Sequence, residues 1–304
     1  MVERSRFEFD GVTSFQDVRA SLRANGVCII RNYLSAEMIK ALADAVRQLA
    51  YAEHDLQLAE GNCFLGRYKL EEVDELGISE VRTVLKDEML QEIASDFFDP
   101  HAPDFRKIYC HHDVEHMAFN NAWHFDRGLT LKFFFYLNDV TKENGAFWYD
   151  PGSHLANGIK QYLWWEAGTP ILNYVPEAEV RSPLPLEGPA GSLIIFDASG
   201  YHQAGEITNG GDRWVLRYHV HSGKRGDGKE PALNPYARRN WEYRSQCYTT
   251  RKDEQDDPWG IKAKNASRHQ SNGNTIKEKP VSETPISQGA PVLSRVARLF
   301  SKET

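Results

Sequence analysis

The sequence predicts a mainly β fold with flanking helices, an α+β sandwich or jelly roll, and three observations carry that prediction. From about residue 107, short runs of β-branched and aromatic residues alternate with the turn signals "KENG", "DPGSH", "DASG" and "TNGGD". Before that point the apolar residues recur at helical spacing behind capping residues. A chain of 304 residues with 41% hydrophobic and 26% charged residues can bury one large core.

Taken in order, "DGVTSFQDVRASLRAN" reads as a helix, and the apolar run Val27–Ile30 after Gly26 reads as a strand. Ser35 is a plausible N-cap for a second helix, in which Met38, Ile39, Leu42, Ala45, Val46 and Leu49 share a face. Residues 51–106 are mixed and partly helical, with "EVRTVLKDEMLQEIASDF" the clearest segment. The strands that follow are "KIYCHH", "LTLKFFFYL", "GAFWY", "SLIIFD" and "DRWVLRYHVH". This organisation predicts one domain over residues 1–250. Its parts are a helical portion (1–106), a β core (about 107–222) and a C-terminal extension (223–250). Residues 251–291 are polar and too poor in apolar side chains to fold alone, which suits a disordered linker. In 292–300, Val292, Leu293, Val296, Leu299 and Phe300 fall on one face of a short amphipathic helix. Nine residues make a marginal isolated helix, so this is either a docking face for a partner or membrane surface, or a frayed tail.

Several function classes are disfavoured. A formal net charge of −7 gives no basic footprint for nucleic acid. No apolar run approaches the ~20 residues of a transmembrane helix, and the charged opening "MVERSRFEFD" has no signal-peptide core. Four cysteines without a CxxC pair fit neither a disulfide framework nor a thiolate zinc site. The expectation is a cytoplasmic protein in a reducing compartment, where ferrous iron persists.

The chemistry starts at "AWHFDRG". Strand alternation puts His124 and Asp126 on one side and Phe125 on the other. An HxD triplet alone says little, because polar residues commonly surface at strand ends. A third ligand is available in His202, which follows the strand Leu193–Asp197 and a turn at Gly200. Two imidazoles and one carboxylate on one face of a metal leave the opposite positions open, the arrangement of non-haem ferrous oxygenases. Arg213, eleven residues past His202 on the returning strand, could grip a dicarboxylate such as 2-oxoglutarate through its planar fork. The bland alternative is a strand arginine paired with an acid such as Glu206.

The segment "WHFD…LNDVTKENGAFWYDPGSH…GPAGSLIIFDASGYHQAGEITNGGDRWVLRYHV" resembles the phytanoyl-CoA dioxygenase family of Fe(II)/2-oxoglutarate oxygenases. "ANGVCIIRNYLS" is similar to that family's N-terminal segment, so the resemblance runs over roughly residues 15–222. It implies a double-stranded β-helix (jelly-roll, cupin-like) core, iron on His124, Asp126 and His202, and 2-oxoglutarate on Arg213. With O2 as the remaining co-substrate, it implies hydroxylation of an unactivated C–H of a small molecule, with release of succinate and CO2. Asp126 argues against the halogenase branch, in which a small residue replaces this carboxylate. Three positions depart from the family pattern. Ala204 stands where relatives often carry a hydroxyl, Phe134 where they can have Trp, and Gly191-Ser192 where they commonly have Gly-Asp. The rival from a different class is a metal- or ligand-binding jelly roll without turnover, because fold alone does not settle chemistry.

The remaining candidates carry open alternatives. Lys132 shares a strand face with Phe134 and Tyr136, so it either contacts the co-substrate inside the barrel or is solvated outside it. Arg217, on the face of Arg213, could contact substrate or support a metal ligand. Trp164 and Trp165 lie between "PGSH" and the strand at 193, either as a substrate wall on a loop or as plain packing. "CHHDVEH" reads as packed or solvated histidines, "HVH" as a rival metal pair that no nearby acid completes, and His154 as a residue that fixes its turn.

Overall fold

The structure, a computed structural model, describes residues 6–51, 63–99, 102–115, 122–126, 130–166 and 173–222. The expected extension at 223–250, linker at 251–291 and helix at 292–300 lie outside the described residues.

Helix α1 (Phe15–Asn25) starts where Ser14 accepts a hydrogen bond from the Asp17 amide and stops at Gly26, left-handed at φ 75°. Glycine is needed there twice over, since a Cβ would also lie 2.5 Å from His154 Nδ1 and from the Tyr149 hydroxyl. Helix α2 (Ala36–Ala50) is capped by Ser35 and buries Leu42, Ala45, Val46 and Leu49, the face its spacing predicts. The segment at 80–97 is not one helix. α3 (Leu70–Glu75) and α4 (Ser79–Val84) precede α5 (Glu88–Phe98), and the chain breaks at Asp87, whose carboxylate accepts from the Met89 and Leu90 amides. An acid that caps a new helix outcompetes continuation of the old one.

Among the described residues ten strands form two sheets. The larger contains β1 (Glu8–Asp10), β2 (Val27–Arg31), β3 (Cys63–Lys69), β4 (Pro103–Val114), β5 (Thr130–Tyr136), β8 (Leu193–Asp197) and β10 (Asp212–Ser222), in the order β1-β2-β8-β5-β10-β4-β3. The smaller contains β6 (Phe147–Tyr149), β7 (Leu184–Leu186) and β9 (His202–Gln203), with β6 central. This sheet-dominated fold with outer helices is the expected jelly-roll class. Central β5 is buried at all seven positions, which explains its unbroken apolar run "FFFY" where a half-exposed strand would alternate. One core packs the helices on the outer face of the large sheet, where Leu42, Val46, Ile93 and Phe97 meet Ile108, Phe133, Phe135 and Tyr218. A second, lined by Ile29, Phe134, Phe147, Ile194, Phe196 and Val215, fills the inner face toward the small sheet.

Two elements depart from the sequence expectation. β3 replaces part of a stretch read as mixed and helical. Its "CFLGRYK" is interrupted by Gly66, where a Cβ would lie 2.4 Å from the Leu49 carbonyl oxygen, so close packing on α2 has removed a side chain from the strand pattern. Between "PGSH" and β8 the chain forms helix α6 (Ser153–Glu166). Trp164 and Trp165 are therefore helical rather than on a loop. Among the described residues no helix is long and apolar enough to cross a membrane.

Candidate metal centre and co-substrate cavity

His124 and His202 are a bridged pair. The His124 amide donates to the His202 carbonyl at 2.9 Å, and the His202 amide donates back to the His124 carbonyl at 2.8 Å. The Asp126 amide donates to the Ala198 carbonyl at 2.8 Å, so backbone bonds hold both ends of "HFD" against β9 and the turn before it. One ligand atom from each of His124, Asp126 and His202 lies within 4.8 Å of the other two.

The imidazoles are oriented for metal. Each donates its Nδ1 proton to a carbonyl, His124 to Ala122 at 2.9 Å and His202 to Gly200 at 2.8 Å. That fixes the tautomer with Nε2 as the bare lone pair. His202 Nε2 is sealed from solvent with no hydrogen-bond partner and stands 3.9 Å from Asp126 Oδ1. A buried acceptor without a donor is costly, and a cation would satisfy it. Burial lowers the pKa of both histidines, well below the usual value for His202. Burial pushes the Asp126 carboxyl up, but Lys132 and then His202 outweigh it and bring it down to about 2. Lys132 is buried and faces the interior, with Nζ 2.6 Å from Asp126 Oδ2. Neutral imidazoles, an ionised carboxylate and the orphaned Nε2 fit a divalent metal.

The triad opens on a cavity of about 220 Å³. Lys132, Phe134, Phe147 and Ala204 line it near the metal ligands; Arg67, Tyr109, His111, Arg217 and His219 line the rest. Phe134 meets Phe147 and Phe196 edge-on, and the Arg217 guanidinium carbon lies 4.5 Å from the Phe134 ring centre.

Arg213 is elsewhere. It is 1% exposed and does not line the cavity. Its Nε donates to Asp113 Oδ2 at 2.9 Å, Nη2 reaches the same oxygen, and Nη1 donates to the carbonyl of Gly145, the glycine of "KENG". The acid beside Arg213 is thus Asp113, its cross-strand neighbour on β4, rather than Glu206. Asp113 also lies 3.6 Å from Arg217 Nη2 and 3.3 Å from His111 Nδ1. Burial raises the Asp113 carboxyl, yet Arg213, His111 and Arg217 together hold it well below the carboxylate range.

The structure thus gathers His124, Asp126, His202, Lys132, Phe134 and Arg217 around one cavity and sets Arg213 behind its wall. The side chains of Trp164 and Trp165 lie outside the described residues. Sequence reasoning missed Asp113, Arg67 and Tyr109. A signal existed in the period-two set Tyr109, His111, Asp113 within "YCHHD", whose side chains share one strand face.

The sequence matches the phytanoyl-CoA dioxygenase (PhyH) family over residues 22–215. The chain belongs to that family. Its fold, its triad and this membership make it an Fe(II)- and 2-oxoglutarate-dependent enzyme, with O2 as the remaining co-substrate. An uncharacterized protein of Mycobacterium tuberculosis is 25% identical over 234 residues, 68% of this chain and 75% of its own. Phytanoyl-CoA dioxygenase 1 of Oryza sativa subsp. japonica is 34% identical over 85 residues, 28% of this chain and 30% of its own. Two solved structures share the fold at a TM-score of 0.51. One is the epimerase SnoN, in complex with Fe3+, alpha-ketoglutarate and nogalamycin RO, with 19% identity over 68% of this chain and 83% of its own. The other is AviO1 of Streptomyces viridochromogenes Tue57, with 18% identity over 70% and 97%.

Proposed function

We propose that this PhyH-family enzyme hydroxylates an unactivated C–H bond of a small molecule. The observation that carries the reading is the triad with its orphaned, buried His202 Nε2 beside an ionised Asp126. His124, Asp126 and His202 would hold the metal, with the backbone carbonyls of Ala122 and Gly200 fixing both rings. Iron with 2-oxoglutarate and O2 supplies the oxidising chemistry and releases succinate and CO2. The protein's part is to place the target carbon and keep water away, for which the wall formed by Phe134 and Phe147 is suited. Lys132 offsets the Asp126 charge before metal arrives. For the far carboxylate of 2-oxoglutarate we favour Arg217, because its guanidinium borders the cavity while the fork of Arg213 is taken up by Asp113 and Gly145.

Anaerobic titration of the protein with Fe(II) and 2-oxoglutarate tests this reading, since a keto acid chelating ferrous iron gives a visible charge-transfer band. The band is expected in wild type, lost in His202→Ala, and shifted to much higher 2-oxoglutarate in Arg217→Gln. Metal uptake without the band would favour a binding scaffold. A shift in Arg213→Lys but not in Arg217→Gln would return the co-substrate to Arg213.

A further inference from the structure

Away from the metal triad, polar side chains from three strands converge on the cavity. Arg67 on β3, Tyr109 on β4 and Arg217 on β10 are successive cross-strand neighbours, so their side chains form one row across the inner face. His219, one two-residue step along β10, pairs in register with Lys132 and has its ring 4.1 Å from that of Tyr109. Arg67 lines the cavity 6.0 Å from the Tyr109 ring and forms no ion pair among the described residues. His219 lines the same cavity, and its Nε2 is buried with no hydrogen-bond partner among the described residues. Buried polar atoms are ordinarily satisfied, so an orphan on a residue that lines a cavity points to a ligand atom there.

Charge points to the kind of ligand. The cavity is lined by three basic side chains, Arg67, Lys132 and Arg217, against one carboxylate, Asp126. A divalent metal and the dianionic co-substrate cancel, and Asp126 offsets Lys132. Arg217 has Asp113 at 3.6 Å, so Arg67 is the lining cation left without an acid among the described residues, inside a chain whose formal charge is −7. Closing a neutral substrate over that cation would desolvate it without compensation, which an anion would supply.

We propose that Arg67, Tyr109 and His219 form an oxyanion subsite for the prime substrate, which is therefore a carboxylate or phosphate ester. This inference rests on the oxygenase reading above and names the substrate class of that same site. Arg67 offers the planar fork that suits such groups, with the Tyr109 hydroxyl and His219 Nε2 completing the donor set. Three strand spacings separate β5, which carries Lys132 beside the triad, from β3, which carries Arg67. At about 4.8 Å each, and allowing for side-chain reach, the oxidised carbon lies roughly 10 Å from the anionic group.

The test uses the full chain loaded anaerobically with Fe(II) and 2-oxoglutarate. A panel of carboxylates and phosphate monoesters, each beside its neutral methyl ester or parent alcohol, is read by thermal shift and by perturbation of the charge-transfer band, then by succinate release in air. Binding is expected only among anionic members, and the carboxylate and phosphate arms decide between the two sources. Arg67→Gln should weaken it at least tenfold while the 2-oxoglutarate titration stays unchanged, and Tyr109→Phe should weaken it less. No preference for anions over their neutral counterparts, or a preference untouched by Arg67→Gln, overturns the proposal. A 2-oxoglutarate titration shifted by Arg67→Gln overturns it as well, because the subsite would then belong to the co-substrate. Failure to load metal and 2-oxoglutarate at all would sink the oxygenase reading first, and this subsite with it.

Discussion

Asp113→Ala should be among the most damaging single substitutions in the inner face of the large sheet. Asp113 is fully buried, as is Arg213, and the guanidinium donates to Asp113 Oδ2 through Nε and Nη2. Removing the carboxylate leaves Arg213 as an uncompensated buried cation, with Arg217 losing a partner 3.6 Å away. Breaking a buried pair from one side costs about 3–5 kcal/mol, which for a domain of this size lowers Tm by about 6–20 °C. Replacing both partners by apolar residues of similar volume removes the orphan, so Asp113→Leu/Arg213→Met should cost less than Asp113→Ala alone. Urea denaturation of the wild type, both single variants and the double variant closes the cycle. Asp113→Ala costing under about 1 kcal/mol, or a double variant as damaged as the two singles added, would refute the reasoning. The double variant also has a functional arm: if Arg217 grips the co-substrate, the folded double variant still titrates with 2-oxoglutarate near wild-type concentrations.

Other outcomes follow from the same coordinates. His202→Ala should retain little iron after dialysis, measured as metal content per chain, because it deletes one of three ligands and the only one with a sealed Nε2 among them. Gly66→Ala should cost about 1–3 kcal/mol by overpacking, since its Cβ would meet the Leu49 carbonyl at 2.4 Å; a thermal melt unchanged within 1 °C would contradict this. His154 is fully buried and its pKa is lowered by that burial to about 4. The folded state refuses a proton that the unfolded chain accepts near pH 6.5, so the contribution is intact above that pH and is lost as pH falls toward 4. Between pH 7.5 and 4.5 the wild type should lose about 2–3 kcal/mol more than His154→Gln in paired urea titrations. Parallel curves would remove His154 as a source of acid sensitivity.

Much of the fold was legible because its signals are local. Ser35 caps the helix it precedes, Gly26 separates α1 from the apolar run of β2, and the apolar run of β5 reads as a strand. The candidate metal ligands were legible for a related reason. An HxD pair needs only i, i+2 geometry, and the distal histidine follows a recognisable strand and turn. The strand β3 and helix α6 were not legible. In the first, contact with α2 replaced a patterned side chain by Gly66; in the second, a helix fills what reads as a loop after a turn motif.

Which side chains face one another across the sheet was decided only in the tertiary structure. Register pairs Asp113 with Arg213, drawing the arginine that motif spacing singles out away from the cavity. The same register lines up Arg67, Tyr109 and Arg217 from three strands far apart in the chain. Period two tells a residue its face, but its neighbour four to five Å away belongs to another strand, chosen by sheet order and turn length. By itself the sequence carried the cap of α2, the strand character of the β core and the three candidate metal ligands, each read from a short local pattern. The tertiary structure decided which arginine reaches the metal cavity and which acid holds the other, because that pairing exists only once separate strands are hydrogen-bonded in register.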